Sequence, residues 1–416
     1  MVHAGDLLSR GRRLTYIVVL GALTALGPFT VDMYLPAFPI VEAEFGASTA
    51  TVQLTLAATM IGFALGQLIV GPWSDRVGRR LPLILATSVH VIATLAVAFS
   101  PTIEWLIVLR VVQGLGAAAG AVVAMAVVRD LFTGVPMVRM LSRLALVSGL
   151  APVLAPLIGS QLLLVTSWRG TFVVLAVFSA IVLVATALFV RETLPAARRH
   201  EAGHSTTFQR FRVLLTDRAF VGTVLMAGMN FSGLFVYLSF SPFLFQQVYN
   251  VDAQQFGLLF AVNSLAVIIG VQTASYLART IGPQWILAGA NILALVSAST
   301  IVLLDIAGAG LVGVLIPLFF FILSCGLSFP CLTALALARH GSEAGTAASL
   351  LGAANFGIAA AVTPIVGLFG AERALPMGAV MLACAIVGGL ILWLVVRPRT
   401  VPALTRLTRA GMIQAM

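Results

Sequence analysis

Long apolar runs dominate the chain. Stretches of about 18 or more residues with very little charge, each long enough to cross a bilayer as a helix, lie near 14–41, 50–73, 81–100, 103–128, 139–165 and 168–190. They return near 219–246, 255–279, 283–304, 308–337, 343–370 and 374–396. A membrane barrel would show roughly ten-residue segments of alternating polarity instead, and that pattern is absent. The chain therefore reads as an all-α integral membrane protein with twelve spans. Residues 191–218 are the one long polar stretch between spans, and they stand at the numerical middle.

That central place predicts a six-helix bundle over 1–190, a linker over 191–218, a second six-helix bundle over 219–400 and a tail over 401–416. Two such halves match the parallel-repeat plan of a secondary transporter, whose substrate site lies between the halves near the midplane. The alternative is one continuous bundle with an ordinary long loop, and the linker's position favours the first reading.

Composition changes the picture in two ways. The chain is 60% hydrophobic and 9% charged, against about 25% charged in a soluble domain, with a mean hydropathy of +1.08. The formal net charge of +10 invites a nucleic-acid reading, but every basic residue is Arg and the arginines cluster at one set of loops. With the amino terminus inside, every Arg except Arg110, Arg169 and Arg373 falls on the cytoplasmic side, as the positive-inside rule requires. Glu42, Glu44, Glu104, Asp252 and Asp305 then face outward. Both termini are expected in the cytoplasm, in the inner membrane of a bacterium. Without Lys there is no phosphate-gripping Walker loop and no Schiff-base chemistry, which argues against a self-contained ATP-driven pump. Cys325, Cys331 and Cys384 lie inside apolar runs and read as small hydrophobes. The basic start (Arg10, Arg12, Arg13) resembles a signal peptide, but the apolar run is too long and lacks a small-residue cleavage site, so it reads as a retained first helix.

Chemistry is concentrated in few places. Asp32, within Asp32-Met33-Tyr34-Leu35-Pro36, is the one charged residue between Arg13 and Glu42. An ionisable group at that depth costs roughly 2.5–3.5 kcal/mol on insertion scales and marks an ion pathway more often than a packing role. Arg110 is the second intramembrane charge. At about 1.5 Å of rise per residue it lies about 9 Å into its helix, and Asp32 about 12 Å from the outer end of the first, so the two can share a level. Gln113 and Gly114 lie on Arg110's face. An arginine favours the ionised carboxylate and desolvation the protonated one, so small movements would switch the proton; a static pair, or separate hydrogen-bonded partners, is the plainer alternative. Proline and glycine mark mobile helices: Pro28, Pro36 and Pro39 in the first span, Gly114, Gly116 and Gly120 in the fourth, and Gly149, Pro152, Pro156 and Gly159 as a hinge in the fifth.

Between the second and third spans runs Gly71-Pro72-Trp73-Ser74-Asp75-Arg76-Val77-Gly78-Arg79-Arg80. Gly71 permits close helix contact, Gly78 permits a tight turn, and Asp130 can pair with Arg76 or Arg79. The full G-x-x-x-D-R-x-G-R-R pattern resembles the hallmark loop of the major facilitator superfamily. Asp32-Met33-Tyr34-Leu35-Pro36, Arg110-Val111-Val112-Gln113-Gly114, Arg129-Asp130, Ser241-Pro242-Phe243, Gln255-Phe256-Gly257, Phe260-Ala261-Val262-Asn263 and Gly345-Thr346-Ala347-Ala348-Ser349 narrow the likeness to the drug:proton antiporters of the bicyclomycin/chloramphenicol-resistance (Bcr/CflA) branch. The likeness spans both halves. It implies a major facilitator fold and export of small amphipathic drugs against inward proton flow, with no cofactor beyond the proton gradient. It further implies Asp32 as proton acceptor, Arg110 and Gln113 as its regulators, and a cytoplasmic gate of Gly71, Asp75, Arg76, Gly78, Arg79, Arg80 and Asp130. The fifth span departs from the antiporter motif g-x-x-x-G-P-x-x-G-G: it reads Ala151-Pro152-Val153-Leu154-Ala155-Pro156-Leu157-Ile158-Gly159-Ser160, with small replacements that keep the hinge.

Other signals are weaker. Tyr34, Asn230, Phe235, Tyr237 and Asn263 suit an amphipathic substrate pocket or interhelical packing equally. His90 reads as a hydrogen-bonded packing residue. His200-Glu201-Ala202-Gly203-His204 fits the zinc-protease H-E-x-x-H pattern, but it sits in a polar, glycine-containing connector without a scaffold, so no metal is expected. The competing functions are a proton-coupled nutrient importer on the same fold, a membrane enzyme, disfavoured because no nucleophile–base set occurs in the spans, and a sensor, disfavoured by the short linker. The expected partners are the bilayer, protons and a small substrate, with no nucleic acid, and the protein is expected as a monomer and not an enzyme.

Overall fold

The computed structural model describes residues 9–195, 207–278, 280–338 and 344–400. These residues are helical, without strands, and 12 helical segments are long and apolar enough to cross a membrane. The first, Gly11–Phe45, is broken in its outer half. Helix α1 (Arg10–Asp32) begins at Ser9, whose hydroxyl accepts the Arg12 N–H at 3.3 Å, and stops at Asp32. A short 3-10 turn, Leu35–Ala37, leads into α2 (Phe38–Phe45). The cause is Pro36: it has no N–H to give, and its ring collides with the carbonyl four residues back, that of Asp32. The uninterrupted first span suggested by hydropathy is thus two helices joined at the acid.

In the same unit follow α3 (Thr49–Val77), α4 (Arg80–Ala98), α5 (Ile103–Leu131), α6 (Gly134–Leu162) and α7 (Trp168–Phe189). A ten-residue helix α8 (Thr207–Thr216) precedes α9 (Arg218–Phe243), α10 (Ala253–Leu277), α11 (Pro283–Ile306), α12 (Gly310–Leu337), α13 (Ala344–Val362) and α14 (Leu375–Ile391). The described chain divides into two compact units. One runs to Thr207 and includes Ser241–Ala261; the other holds Phe208–Phe240 and the residues from Val262 onward.

In the first unit α5 is the central post, packed on α3, α4 and α1. Its small residues make that contact close: a Cβ on Gly114 would strike the Thr59 carbonyl of α3, one on Gly116 would lie 2.6 Å from the Ala86 oxygen and His90 nitrogen of α4, and one on Gly120 would strike the Leu23 carbonyl of α1. Small residues at such crossings replace the hydrophobic drive that lipid removes. Leu20, Leu23 and Leu26 of α1 and Val123, Val127 and Leu131 of α5 share the buried cluster. Outward, Ile69, Ile92 and Ile181 are exposed, as lipid-facing side chains must be. In the second unit α11 packs on α12 and α14, and the Asn291 amide donates to the Ala385 carbonyl at 2.9 Å, with Ile286, Leu287, Leu332 and Leu392 in its cluster.

Candidate functional site

The break in the first span organises the site. A helix leaves its last four carbonyls without an intrahelical donor, and side chains claim those around Asp32. The Thr30 carbonyl accepts Arg110 Nη1 from α5 at 2.8 Å. The Pro36 carbonyl accepts Gln246 Nε2 at 3.1 Å, from the Ser241–Ala261 segment of the same unit. Gly159 of α6 lies directly against the Met33 carbonyl. Asp32, the last residue of α1, is 5% exposed and makes no ion pair or hydrogen bond with any described residue. An ionised carboxylate there also meets the negative end of the α1 dipole.

Arg110 is fully buried. Its Nη1 is shared between the Thr30 carbonyl and Gln113 Oε1, both at 2.8 Å, and its guanidinium carbon lies 5.1 Å from the Tyr34 ring centre and 5.5 Å from that of Phe172. Such desolvated cation–aromatic contacts contribute up to about 2 kcal/mol. Its Nε and Nη2 have no hydrogen-bond partner among the described residues. Those two nitrogens form an edge on which a carboxylate docks bidentately. The shared depth of Asp32 and Arg110 therefore does not appear here as an ion pair: Arg110 is held by a backbone carbonyl two residues away from the acid. Gln113, also buried, binds Arg110 as its spacing suggested and passes its amide to Thr94 Oγ1 of α4 at 2.9 Å. His90 is buried with Nδ1 3.1 Å from the Gln113 carbonyl. Thr94 has no signal in sequence, because its partner comes from another helix.

The loop between α3 and α4 is a second polar centre. Arg79 Nε bonds Asp130 Oδ2 at 2.9 Å, its Nη1 bonds Ser74 Oγ at 2.9 Å, and it pairs with Asp75. Burial pushes the Arg79 pKa down, but the hydrogen bonds and charges of Asp130 and Asp75 outweigh it and leave it raised. Gly78 takes φ +107°, the left-handed region that favours glycine. Gly71 lies inside α3 and Arg76 in its last turn. Arg80 Nη2 bonds the Ala187 carbonyl at 2.8 Å. Glu192 belongs to no motif of the sequence. No side chain of its own caps the start of α4; instead the Glu192 carboxylate accepts the N–H groups of Arg79 at 2.9 Å and Arg80 at 3.2 Å. Thr193 adds a bond to Asp130 at 3.1 Å. Removing such a cap costs about 1 kcal/mol, so Glu192→Ala should lower the midpoint of thermal unfolding in detergent, and Glu192→Gln should do so by less. An unchanged midpoint in both would show that the carboxylate does not hold the helix.

The remaining candidates separate. Tyr34 belongs to the first unit, buried against Phe38 and Phe172 at ring-centre distances of 4.9 and 5.1 Å. Asn230, Phe235, Tyr237 and Asn263 lie in the second. There Asn263 Nδ2 bonds the Tyr237 hydroxyl at 3.1 Å, and both side chains are buried. Phe235 stacks in a cluster that sequence reading missed, with Phe231 at 4.6 Å and Phe356 at 6.2 Å. Phe231 and Phe235 share a face by their four-residue spacing, but Phe356 comes from α13. The Asn230 side-chain oxygen is buried without a partner among the described residues. Along α6, Pro152 and Pro156 lie inside an unbroken helix, Gly159 is pressed against the break, and Gly149 faces open space. His200, Glu201 and His204 lie outside the described residues. Among the described residues no group of three His, Cys, Asp or Glu could hold a metal ion.

Residues 19–364 match the Major Facilitator Superfamily. The MFS-type transporter YdgK of Bacillus subtilis is 36% identical over 91% of this chain and 94% of its own length. A bicyclomycin resistance protein homolog of Haemophilus influenzae is 29% identical over 89% of this chain and 94% of its own. Multidrug resistance protein MdtL of Klebsiella pneumoniae is 26% identical over 91% and 95%. Among solved structures, the xylose transporter XylE from E. coli superposes with a TM-score of 0.74 over 94% of this chain and 98% of that one, at 14% identity. That last likeness concerns the fold alone.

Proposed function

Because the chain belongs to the Major Facilitator Superfamily, a multi-pass membrane transporter is the premise, and we propose that this one exports small amphipathic drugs in exchange for protons. The observation that carries the reading is the buried carboxylate of Asp32, without a partner at a helix break, two residues from the carbonyl that holds an arginine whose carboxylate-binding edge is unengaged. A protonated Asp32 rests without a partner in its apolar setting. A deprotonated one needs a cation, and the Nε–Nη2 edge of Arg110 supplies it. Loss and gain of the proton thus exchange two packings of the break, and the carbonyls bound by Arg110 and Gln246, with the one packed against Gly159, transmit the change to α5, α6 and the Ser241–Ala261 segment. The names of the Haemophilus and Klebsiella relatives support drug export over nutrient import. The arginine distribution supports cytoplasmic termini.

One proton moving through about 100 mV supplies roughly 2.3 kcal/mol, enough for a substrate gradient near ~50-fold. A susceptibility panel in an efflux-deficient host, bicyclomycin included, identifies the cargo. In proteoliposomes that cargo should then drive proton movement in the opposite direction, read with an internal pH dye. Uphill transport that persists after both the pH difference and the electrical potential are collapsed would refute proton coupling.

A further inference from the structure

We propose that Thr94, seated on His90, is a positioning residue that fixes the orientation of Arg110 through Gln113; this deepens the proton-coupling reading and rests on it for its functional consequence. The direction of each hydrogen bond follows from its partners. Arg110 carries only donors, so the Gln113 atom 2.8 Å from its Nη1 is the amide oxygen. The amide nitrogen then faces Thr94 Oγ1 at 2.9 Å. Thr94 has one hydroxyl hydrogen, and it is committed to the His90 carbonyl at 2.6 Å, which can only accept. Thr94 therefore receives the Gln113 N–H and cannot return one. His90 closes the set: Nδ1 faces the Gln113 carbonyl at 3.1 Å and so carries the hydrogen. The bare Nε2 lies 3.5 Å from the Thr94 oxygen, which has no hydrogen left to offer it.

The result is a one-way chain, Arg110 to Gln113 to Thr94 to the His90 carbonyl, spanning α5 and α4. It stands on a rigid base, because Gly116 brings the α5 backbone against Ala86 and His90 of α4. All four side chains are buried, so water does not substitute for a lost partner. Arg110 is faced by Tyr34 and Phe172, whose rings flank it, by Gln113 and the Thr30 carbonyl, which bind it, and by His90, which lies within electrostatic range. Without the Thr94 acceptor, Gln113 is free to turn its NH2 toward Arg110, donor against donor. The guanidinium then loses one of its two anchors and the fixed presentation of its Nε–Nη2 edge.

Thr94→Val removes the acceptor at nearly constant shape, and Thr94→Ser retains it. Losing one hydrogen bond to a charged group corresponds to about tenfold. Substrate-driven proton exchange in proteoliposomes should therefore fall about tenfold in Thr94→Val, with a displaced pH profile, and recover in Thr94→Ser. Added to Gln113→Leu, Thr94→Val should cost nothing further. The side-chain 15N–1H signals of Arg110, assigned with Arg110→Lys, should move in Thr94→Val and return in Thr94→Ser. If Thr94→Val does not fold, Thr94→Ala deletes the same acceptor and carries the comparison. Unmoved Arg110 signals, or a Thr94 effect that adds in full to that of Gln113→Leu, would overturn the proposal. Wild-type protein that moves no protons with substrate would instead overturn proton coupling, and the Arg110 signals would still decide the positioning role.

Discussion

Asp32→Asn is expected to reduce proton-driven export to the level of protein-free vesicles while the amount and thermal stability of the folded protein stay the same or rise. Asparagine keeps the shape of the side chain and cannot take or release a proton. Asp32 has no ion pair or hydrogen bond to lose among the described residues, and its carboxylate pays roughly 2.5–3.5 kcal/mol for its depth in the bilayer, part of which an amide avoids. Function and stability should thus move in opposite directions, which a misfolding variant would not do. Substrate binding should survive in Asp32→Asn with its pH dependence flattened, measured by equilibrium binding across pH in detergent. An Asn variant that exports at the wild-type rate under a pH gradient would remove this residue from the coupling step.

Substitution at Gly159 should be nearly as damaging by a different route. A Cβ there falls inside contact distance of the Met33 carbonyl, and neither partner is a flexible side chain that could move aside. Overpacking of this kind typically costs about 1–3 kcal/mol and sometimes more. Gly159→Ala should therefore push α6 off the break next to Asp32 and lower both yield and transport. Gly149, ten residues earlier on the same helix, is the matched comparison: apart from its own helical turn, no described residue lies within 4 Å of its Cβ position. Gly149→Ala should leave yield unchanged, and stability should differ by at most about 1 kcal/mol. The two variants separate packing from flexibility. Equal losses of yield would mean that contact with Met33 is not what sets the cost, and lost transport with normal yield in Gly149→Ala would point to a hinge at that residue.

Much of this protein is legible in its sequence. Asp32 and Arg110 stood out because a charge inside an apolar run is visible from its neighbours alone. Asp75 and Arg79 were visible because a loop motif places them four residues apart, and Asp130, 51 residues further on, because it is an acid at the cytoplasmic end of the fourth span. Glu192 was not, since it caps α4 from the far end of the unit, and an exposed glutamate in a polar stretch carries no mark of that task. Nor was the backbone partner of Arg110: depth along two helices allowed a pair with Asp32 or separate partners, while the acceptors are Gln113 Oε1 and the Thr30 carbonyl at the helix end that Pro36 sets.

Hydropathy and motif determined the class of molecule, its twelve spans, its family and the position of two buried charges, Asp32 and Arg110, because a bilayer exacts a cost from every residue locally and independently of the rest. Which atoms those charges touch was decided only by tertiary structure. Hydrogen bonds join groups such as Thr94 and Gln113, 19 residues apart, and the spacing between helices that permits them is set by glycines whose effect depends on what lies opposite.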